Sequence, residues 1–381
     1  MAQLQVQKLL RDDAGALDQI RALGIKIRAH GKYPNLVQFT YSQINSAPFK
    51  DHPIVKECRG LILDRDNNWN IVAFPFTRFF NWGEPGAADI NWTSARIQEK
   101  LDGSLIIVYW YAGAWHAATK GTPDGVATTW DGSTTYASYF WQAVDRSDRD
   151  IRAALIPGWT YCFEVTGEAT RVVTQQVGNP GTATVLAIRD QAGDEQDVTV
   201  WANSLPVVRH FDFGTAAAVN IAAAELDPIE QEGFVVVDAN FQRVKIKSPR
   251  YVALHYNKFT LTRRGIIDLI RKGETDEVLA YFPELQSRYD EIRDHLNRHG
   301  EAISLWFANI TRDFDNCDPR DREVRKRFAA VVQSQVPDKY HAAMFALYNK
   351  QELTGHRWLL DQPTQNIMNL LELCEINISE E

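Results

Sequence analysis

The chain has 381 residues, 45% of them hydrophobic, enough for about two or three packed domains. No run of roughly 18 apolar residues occurs and the N-terminus has no basic segment leading into an apolar one, so neither a membrane span nor a signal peptide is expected. A net charge of −8 argues against indiscriminate nucleic-acid binding, and the widely spaced Cys58, Cys162, Cys317 and Cys374 form no C-x-x-C pair, as in a reduced cytoplasmic protein without structural zinc.

In chain order, residues 4–23 place Leu10, Leu17, Ile20 and Leu23 at helical spacing, interrupted near Asp12-Asp13, with Gly24 as a stop. Short β-like runs follow at 36–41, 60–63 and 69–74, the last two separated by a polar turn over 64–68. Further strands are expected at 104–110 and 114–119, with Tyr111-Ala112-Gly113 turning between them. Residues 136–155 read as one helix. Strands at 160–166, 182–189 and 232–238 come next, with an alanine-rich helix at 216–226 before the last. Beyond Tyr256 the pattern is helical, with Ile266, Leu269 and Ile270, then Val324, Phe328, Val331 and Val332, at helical spacing. Asp318-Pro319 is expected to open the helix carrying the latter group.

Chemistry-bearing residues recur in a fixed order along this framework. Glu57-Cys58-Arg59-Gly60 and Arg78-Phe79-Phe80-Asn81 precede Lys100-Leu101-Asp102-Gly103-Ser104. Thr119-Lys120-Gly121, Phe163-Glu164, Glu232-Gly233-Phe234-Val235 and Val244-Lys245-Ile246-Lys247 follow. Each has an ordinary reading alone. Lys100 is a solvated lysine, Arg59 a salt-bridge partner, Phe80 a core residue, Glu164 and Glu232 polar strand ends. Lys245 and Lys247, two apart in a strand, project from one sheet face, where like charges are unfavourable unless an anion lies between them or water solvates them. Gly103 suits a loop that needs positive φ or close backbone approach. No G-x-x-x-x-G-K-[ST] loop offers a rival phosphate site.

The full series resembles the signature of covalent nucleotidyltransferases, the superfamily of DNA ligases, RNA ligases and mRNA capping enzymes. With the upstream elements, residues from about Gln38 to His255 resemble the RNA ligase 1 family of phage-type ATP-dependent RNA ligases; Arg78 stands where that family carries a lysine. The resemblance implies an α+β fold, an ATP-grasp-like nucleotidyltransferase domain with mixed and antiparallel sheets followed by an all-α C-terminal domain, and the change of pattern after Tyr256 divides them into residues 1–256 and 257–381. The resemblance also implies that Lys100 attacks the α-phosphate of ATP and carries AMP as a phosphoramide. A lysine amine attacks only when neutral, and its free pKa is about 10.4, so such a site needs burial or neighbouring cations. Lys245 and Lys247 would contact the α-phosphate and help pyrophosphate leave. Arg59, Arg78 and Lys120 would hold phosphates, Phe80 would stack on adenine, and Glu232 and Glu164 would bind Mg2+, with Mn2+ as a substitute.

The implied partners are 5′-phosphate and 3′-hydroxyl ends of single-stranded RNA or broken tRNA, sealed by a monomer in the cytoplasm, the host's if the chain is phage-encoded. A DNA ligase or capping-type enzyme is the alternative, although those continue into a small β-barrel where this chain turns helical; a non-catalytic RNA-binding relative is another. Arg320, Arg322, Arg325, Lys326 and Arg327, and Lys245, Lys247 and Arg250, are the basic concentrations available for RNA. The former reads equally as a solvated helix face.

Overall fold

The computed structural model describes residues 3–42, 45–46, 49–129, 132–170, 174, 178–256, 262–281, 283–314, 317–318, 321–349 and 353–371. The chain forms two compact units, Met1–His255 and Tyr256–Glu381.

The first unit opens with α1 (Gln5–Asp12) and α2 (Ala16–Ala22), separated at Asp13 and ended by Gly24 at φ 75°. An antiparallel sheet follows in spatial order β1 (Ile25–Ala29), β2 (Leu36–Tyr41), β3 (Arg59–Asp64) and β4 (Asn70–Ala73), with α3 (Pro53–Glu57) leading into β3. Its helix-covered face buries Val6, Ile20, Phe39, Val55 and Leu61.

The remaining strands are β5 (Phe80–Asn81), β6 (Arg96–Lys100), β7 (Ser104–Tyr111), β8 (Ala114–Thr119), β9 (Thr160–Thr166), β10 (Thr182–Arg189), β11 (Glu195–Gln196), β12 (His210–Phe211), β13 (Gly233–Val237) and β14 (Arg243–Lys247). They make two five-stranded sheets, ordered β11-β10-β9-β7-β8 and β12-β6-β13-β14-β5. The second sheet of the chain packs on α4 (Tyr136–Asp145), burying Phe140, Tyr161 and Phe163. The expected helix over 136–155 is broken: α4 ends at Asp145, and Asp150 caps a separate turn, α5 (Ile151–Ala154), by accepting from the Ala153 N–H at 3.1 Å. A side-chain cap at Asp150 competes with helix continuation.

The third sheet packs on α6 (Ala216–Glu225). Strand alternation sends Ile97, Phe234, Val236, Val244 and Ile246 to that core, with Val219 and Ala223 of the helix. The opposite face is left to Gln98, Lys100, Val235, Lys245 and Lys247. In the ladder Gly233 pairs with both Lys100 and Lys247, Val235 with Gln98 and Lys245, and Val237 with Arg96 and Arg243. The unit closes with α7 (Pro249–Tyr256).

Every described regular element of the second unit is helical: α8 (Arg263–Lys272), α9 (Thr275–Tyr281), α10 (Gln286–Thr311), α11 (Arg322–Gln335), α12 (His341–Asn349), α13 (Gly355–Asp361) and α14 (Thr364–Leu370), with short 3-10 turns. Ile292, Leu296, Ile303, Phe328, Leu347 and Leu359 are buried in it. The opening of α11 differs from expectation. Asp321, not Asp318, caps it through the Glu323 and Val324 N–H groups at 2.7 and 3.0 Å, and Pro319 lies outside the described residues. Among the described residues, no helix is long and apolar enough to cross a membrane.

Candidate active site

A cavity of about 260 Å3 has walls from both five-stranded sheets: Leu105, Glu164 and Leu186 from one, Gln98, Lys100, Val235 and Arg243 from the other, with Arg59, Phe76 and Phe79. Lys100 ends β6, a strand whose polar sequence Arg-Ile-Gln-Glu-Lys gives little β signal. Its Nζ donates to Glu232 Oε2 at 2.5 Å, and Lys247 Nζ lies 3.1 Å from Glu232 Oε1. Thus one buried carboxylate is held between two lysines on neighbouring ladders. Gly233 makes this arrangement possible. At φ 152°, a Cβ there would stand 2.3 Å from the Ile246 carbonyl oxygen and 2.6 Å from Lys247 Cα. Gly103 is required for approach rather than for positive φ, since its Cβ would meet the Val165 carbonyl oxygen at 2.4 Å.

Electrostatics separates the two glutamates. Burial opposes ionisation of Glu232, but Lys100 and Lys247 outweigh it and hold the carboxyl below its ordinary range. Glu164 on β9 is half-buried and faces the cavity. Burial, with added repulsion from Glu232 and Asp102, pushes it up to about 8 despite Lys100 and Arg59. Asp102 Oδ2 accepts from the Thr174 N–H at 2.8 Å, and its carboxylate hydrogen-bonds the buried Tyr251 of α7.

A second group surrounds Tyr41. Lys120 Nζ lies 4.1 Å and the Arg78 guanidinium 4.5 Å from its ring centre. Burial disfavours the phenolate, yet Arg59, Lys120, Arg78 and Lys245 together bring the hydroxyl down to about 8. Burial also lowers Lys120, aided by Arg59 and Arg78 and opposed by Tyr41. Arg59 Nε and Arg78 Nη1 are buried without a hydrogen-bond partner among the described residues. Guanidinium N–H groups left so are costly unless an anion receives them. An anion in the basin would satisfy both.

The sequence-predicted residues therefore gather as two adjoining groups: Lys100, Glu164, Glu232 and Lys247, and Arg59, Arg78, Lys120 and Lys245. Phe80 does not line the cavity but packs behind the second group. It is 3% exposed and packed 5.0 Å from the Arg78 guanidinium and 5.6 Å from Lys56 Nζ, while Phe76 and Phe79 form the aromatic wall of the cavity. The run Arg78-Phe79-Phe80 contains two rings, Phe79 and Phe80, and only the backbone path decides which one faces the cavity. Tyr41, Tyr251, Phe76 and Arg243 were not anticipated; each depends on a long-range approach that local pattern does not encode, whereas Asp102 stood in the Lys100 motif without an assigned role.

The RNA ligase family model matches residues 57–251, which span every one of these motifs. The chain belongs to the RNA ligase family. It is 30% identical over 333 residues to a protein of Autographa californica nuclear polyhedrosis virus named as a bifunctional polynucleotide kinase/RNA ligase. That match covers 81% of this chain and 46% of the relative, so the chain spans about half of that relative's length. An RNA ligase of Rhodothermus phage RM378 is 25% identical over 339 residues, covering 71% of this chain and 77% of the relative. Among solved structures, an archaeal ATP-dependent RNA ligase covers 92% of this chain and 99% of its own, with a TM-score of 0.50 at 16% identity, a likeness of fold.

Proposed function

We propose that the protein is an ATP-dependent RNA ligase joining 5′-phosphate and 3′-hydroxyl ends of single-stranded RNA or broken tRNA. The observation that carries this reading is the Lys100–Glu232–Lys247 cluster, with Lys100 on the cavity wall, set beside a basin of buried, unsatisfied arginine donors. The Lys100 amine, after losing its proton and leaving Glu232, attacks the ATP α-phosphorus. The bond to the bridging oxygen breaks and pyrophosphate departs. Lys245, Lys247 and the arginine basin offset the charge that builds on the phosphates. The lysyl-AMP bond is then broken by an oxygen of an RNA 5′-phosphate, giving a 5′–5′ linked AMP and returning the amine. An RNA 3′-hydroxyl finally attacks that 5′-phosphorus, loses its proton, and AMP leaves.

A divalent cation fits this site. Glu232 and Glu164 are both close to Lys100, and no group of three or more His, Cys, Asp or Glu side chains among the described residues would cage an ion alone. Mg2+ or Mn2+ held by one or two of these carboxylates would complete its shell on the nucleotide phosphates and neutralise part of their charge. The reading assigns the nucleotide chemistry to the first unit and choice among RNAs to the helical second unit.

The test is incubation with radiolabelled ATP or GTP followed by a denaturing gel. The wild type should retain labelled AMP. Lys100→Ala should lose that adduct while still sealing RNA that is already adenylylated. An adduct with GTP alone would point to capping-type chemistry, no adduct to a non-catalytic relative, and an adduct surviving in Lys100→Ala would remove Lys100 from its role.

A further inference from the structure

At the end of the cavity away from Lys100, the two five-stranded sheets are fastened together by ion pairs. The third ladder row across β6, β13 and β14 is Arg96–Val237–Arg243, four residues along from Lys100–Gly233–Lys247, or about 13 Å. Both arginines of that row reach the short segment at and after β11 in the other sheet. Arg243 pairs with Glu195 through both guanidinium nitrogens, one of them at 3.0 Å, and Arg96 pairs with Asp197. The Glu195 side chain is 3% exposed and also holds Arg189 at 3.3 Å. Asp197 is itself fixed by accepting from the Thr199 N–H at 3.0 Å.

Arg243 lines the cavity, and its guanidinium stands 5.2 Å from the ring centre of Phe76, with Arg59 at 4.9 Å from the same ring. The cavity extends from Lys100 to Arg243, so a nucleotide anchored at Lys100 by its α-phosphate would have room for its sugar and base toward this row. The cavity there lies between the two sheets, and the two ion pairs bridge them at that end.

We infer that Glu195 and Asp197 form a clasp between the sheets that shapes the base end of the nucleotide cavity, with Glu195 the positioning residue that holds Arg243 and the Phe76 wall against a purine ring. This rests on the ligase reading for the identity of the nucleotide. Residues 195–197 lie outside every motif of the sequence series. Their role is reached only through the pairing of two sheets.

The experiment measures adduct formation against ATP concentration, with thermal unfolding alongside. Arg243→Met removes one pair between the sheets and should lower the unfolding temperature, but it leaves Glu195 paired with Arg189 and the Arg96–Asp197 pair intact, so it should still fold. Its half-saturating ATP concentration should rise on the order of tenfold, the scale of one desolvated cation–π contact, and by more than the maximal rate falls. Glu195→Gln should shift half-saturation in the same direction with a lower unfolding temperature; should it fail to fold, Arg243→Met decides. Half-saturation within twofold of wild type in folded variants would make the clasp merely structural and overturn the inference. A wild type that forms no adduct defeats the ligase reading instead, and the same comparison is then made by equilibrium dialysis with ATP.

Discussion

At the residue scale, the two glutamates show how position rather than type sets chemistry. Glu232, between Lys100 and Lys247, is held ionised, whereas Glu164 is pushed up to about 8 by burial against an ordinary 4.5. The unfolded chain releases the Glu164 proton near 4.5 and the folded chain keeps it to about 8, so Glu164 weakens the fold as pH rises through that window. Without nucleotide or metal, Glu164→Gln should flatten the fall in unfolding free energy across it, by about 5 kcal/mol at most. Unfolding curves at several pH values, unchanged in slope by the substitution, would show Glu164 to ionise normally. Lys245→Ala and Lys247→Ala should slow adduct formation by roughly 100-fold even at saturating ATP, because the charge they offset develops in the transition state. Rapid-quench rates equal to wild type would refute that. Most of these side chains were legible as motifs in order. Tyr41 and Arg243 were not, because neither sits in a motif and both are brought in by sheet pairing.

At the element scale, the apolar strands β7, β9, β10 and β13 and the helix–glycine stop at Ala22–Gly24 were readable from period and punctuation. β6 was not: a polar strand with charged residues at both ends shows no alternation, and it exists because β12 and β13 pair on either side of it. The break at Asp145–Asp150 and the shift of the α11 cap to Asp321 share one cause, a choice among nearby aspartates that local sequence leaves degenerate. The β6-β13-β14 ladder makes a prediction of its own. Gly233→Ala drives a methyl group into the backbone of β14, which should cost about 1–3 kcal/mol of stability. The separation of Lys100 from Lys247 should also reduce adduct formation far beyond what the lost folded fraction explains. Chemical denaturation and adduct yield measured on one sample check this; yield falling only in step with folding would disprove it.

At the scale of the whole molecule, all the described nucleotide-site residues lie between Tyr41 and Tyr251, inside the first compact unit. A fragment of residues 1–256 that retains a cooperative unfolding transition should therefore still form the AMP adduct while losing preference among RNA substrates. A folded fragment without adduct would show that the helices complete the site. On α11, Arg322, Arg325, Lys326 and Arg327 are exposed, and Arg320 lies outside the described residues. Arg325 bonds Asn349 at 3.0 Å and Lys326 pairs with Glu323 at 3.2 Å, weak surface contacts that leave charge for phosphates. Neutralising all five residues should weaken sealing and lower the slope of its salt dependence, with adduct formation unchanged. Sealing that keeps its salt slope would mark the run as a solvated face.

The phenol of Tyr41 supplies the molecule with an optical gauge. Four cations bring its hydroxyl to about 8, so near pH 8 phenol and tyrosinate coexist, and the near-ultraviolet absorption of tyrosinate is distinct from that of the protonated ring. An anion entering the basin would cancel the cationic field, return the proton to the ring and bleach that band. Filling of the phosphate basin would then be visible directly by absorbance, before any covalent bond is made and without a label.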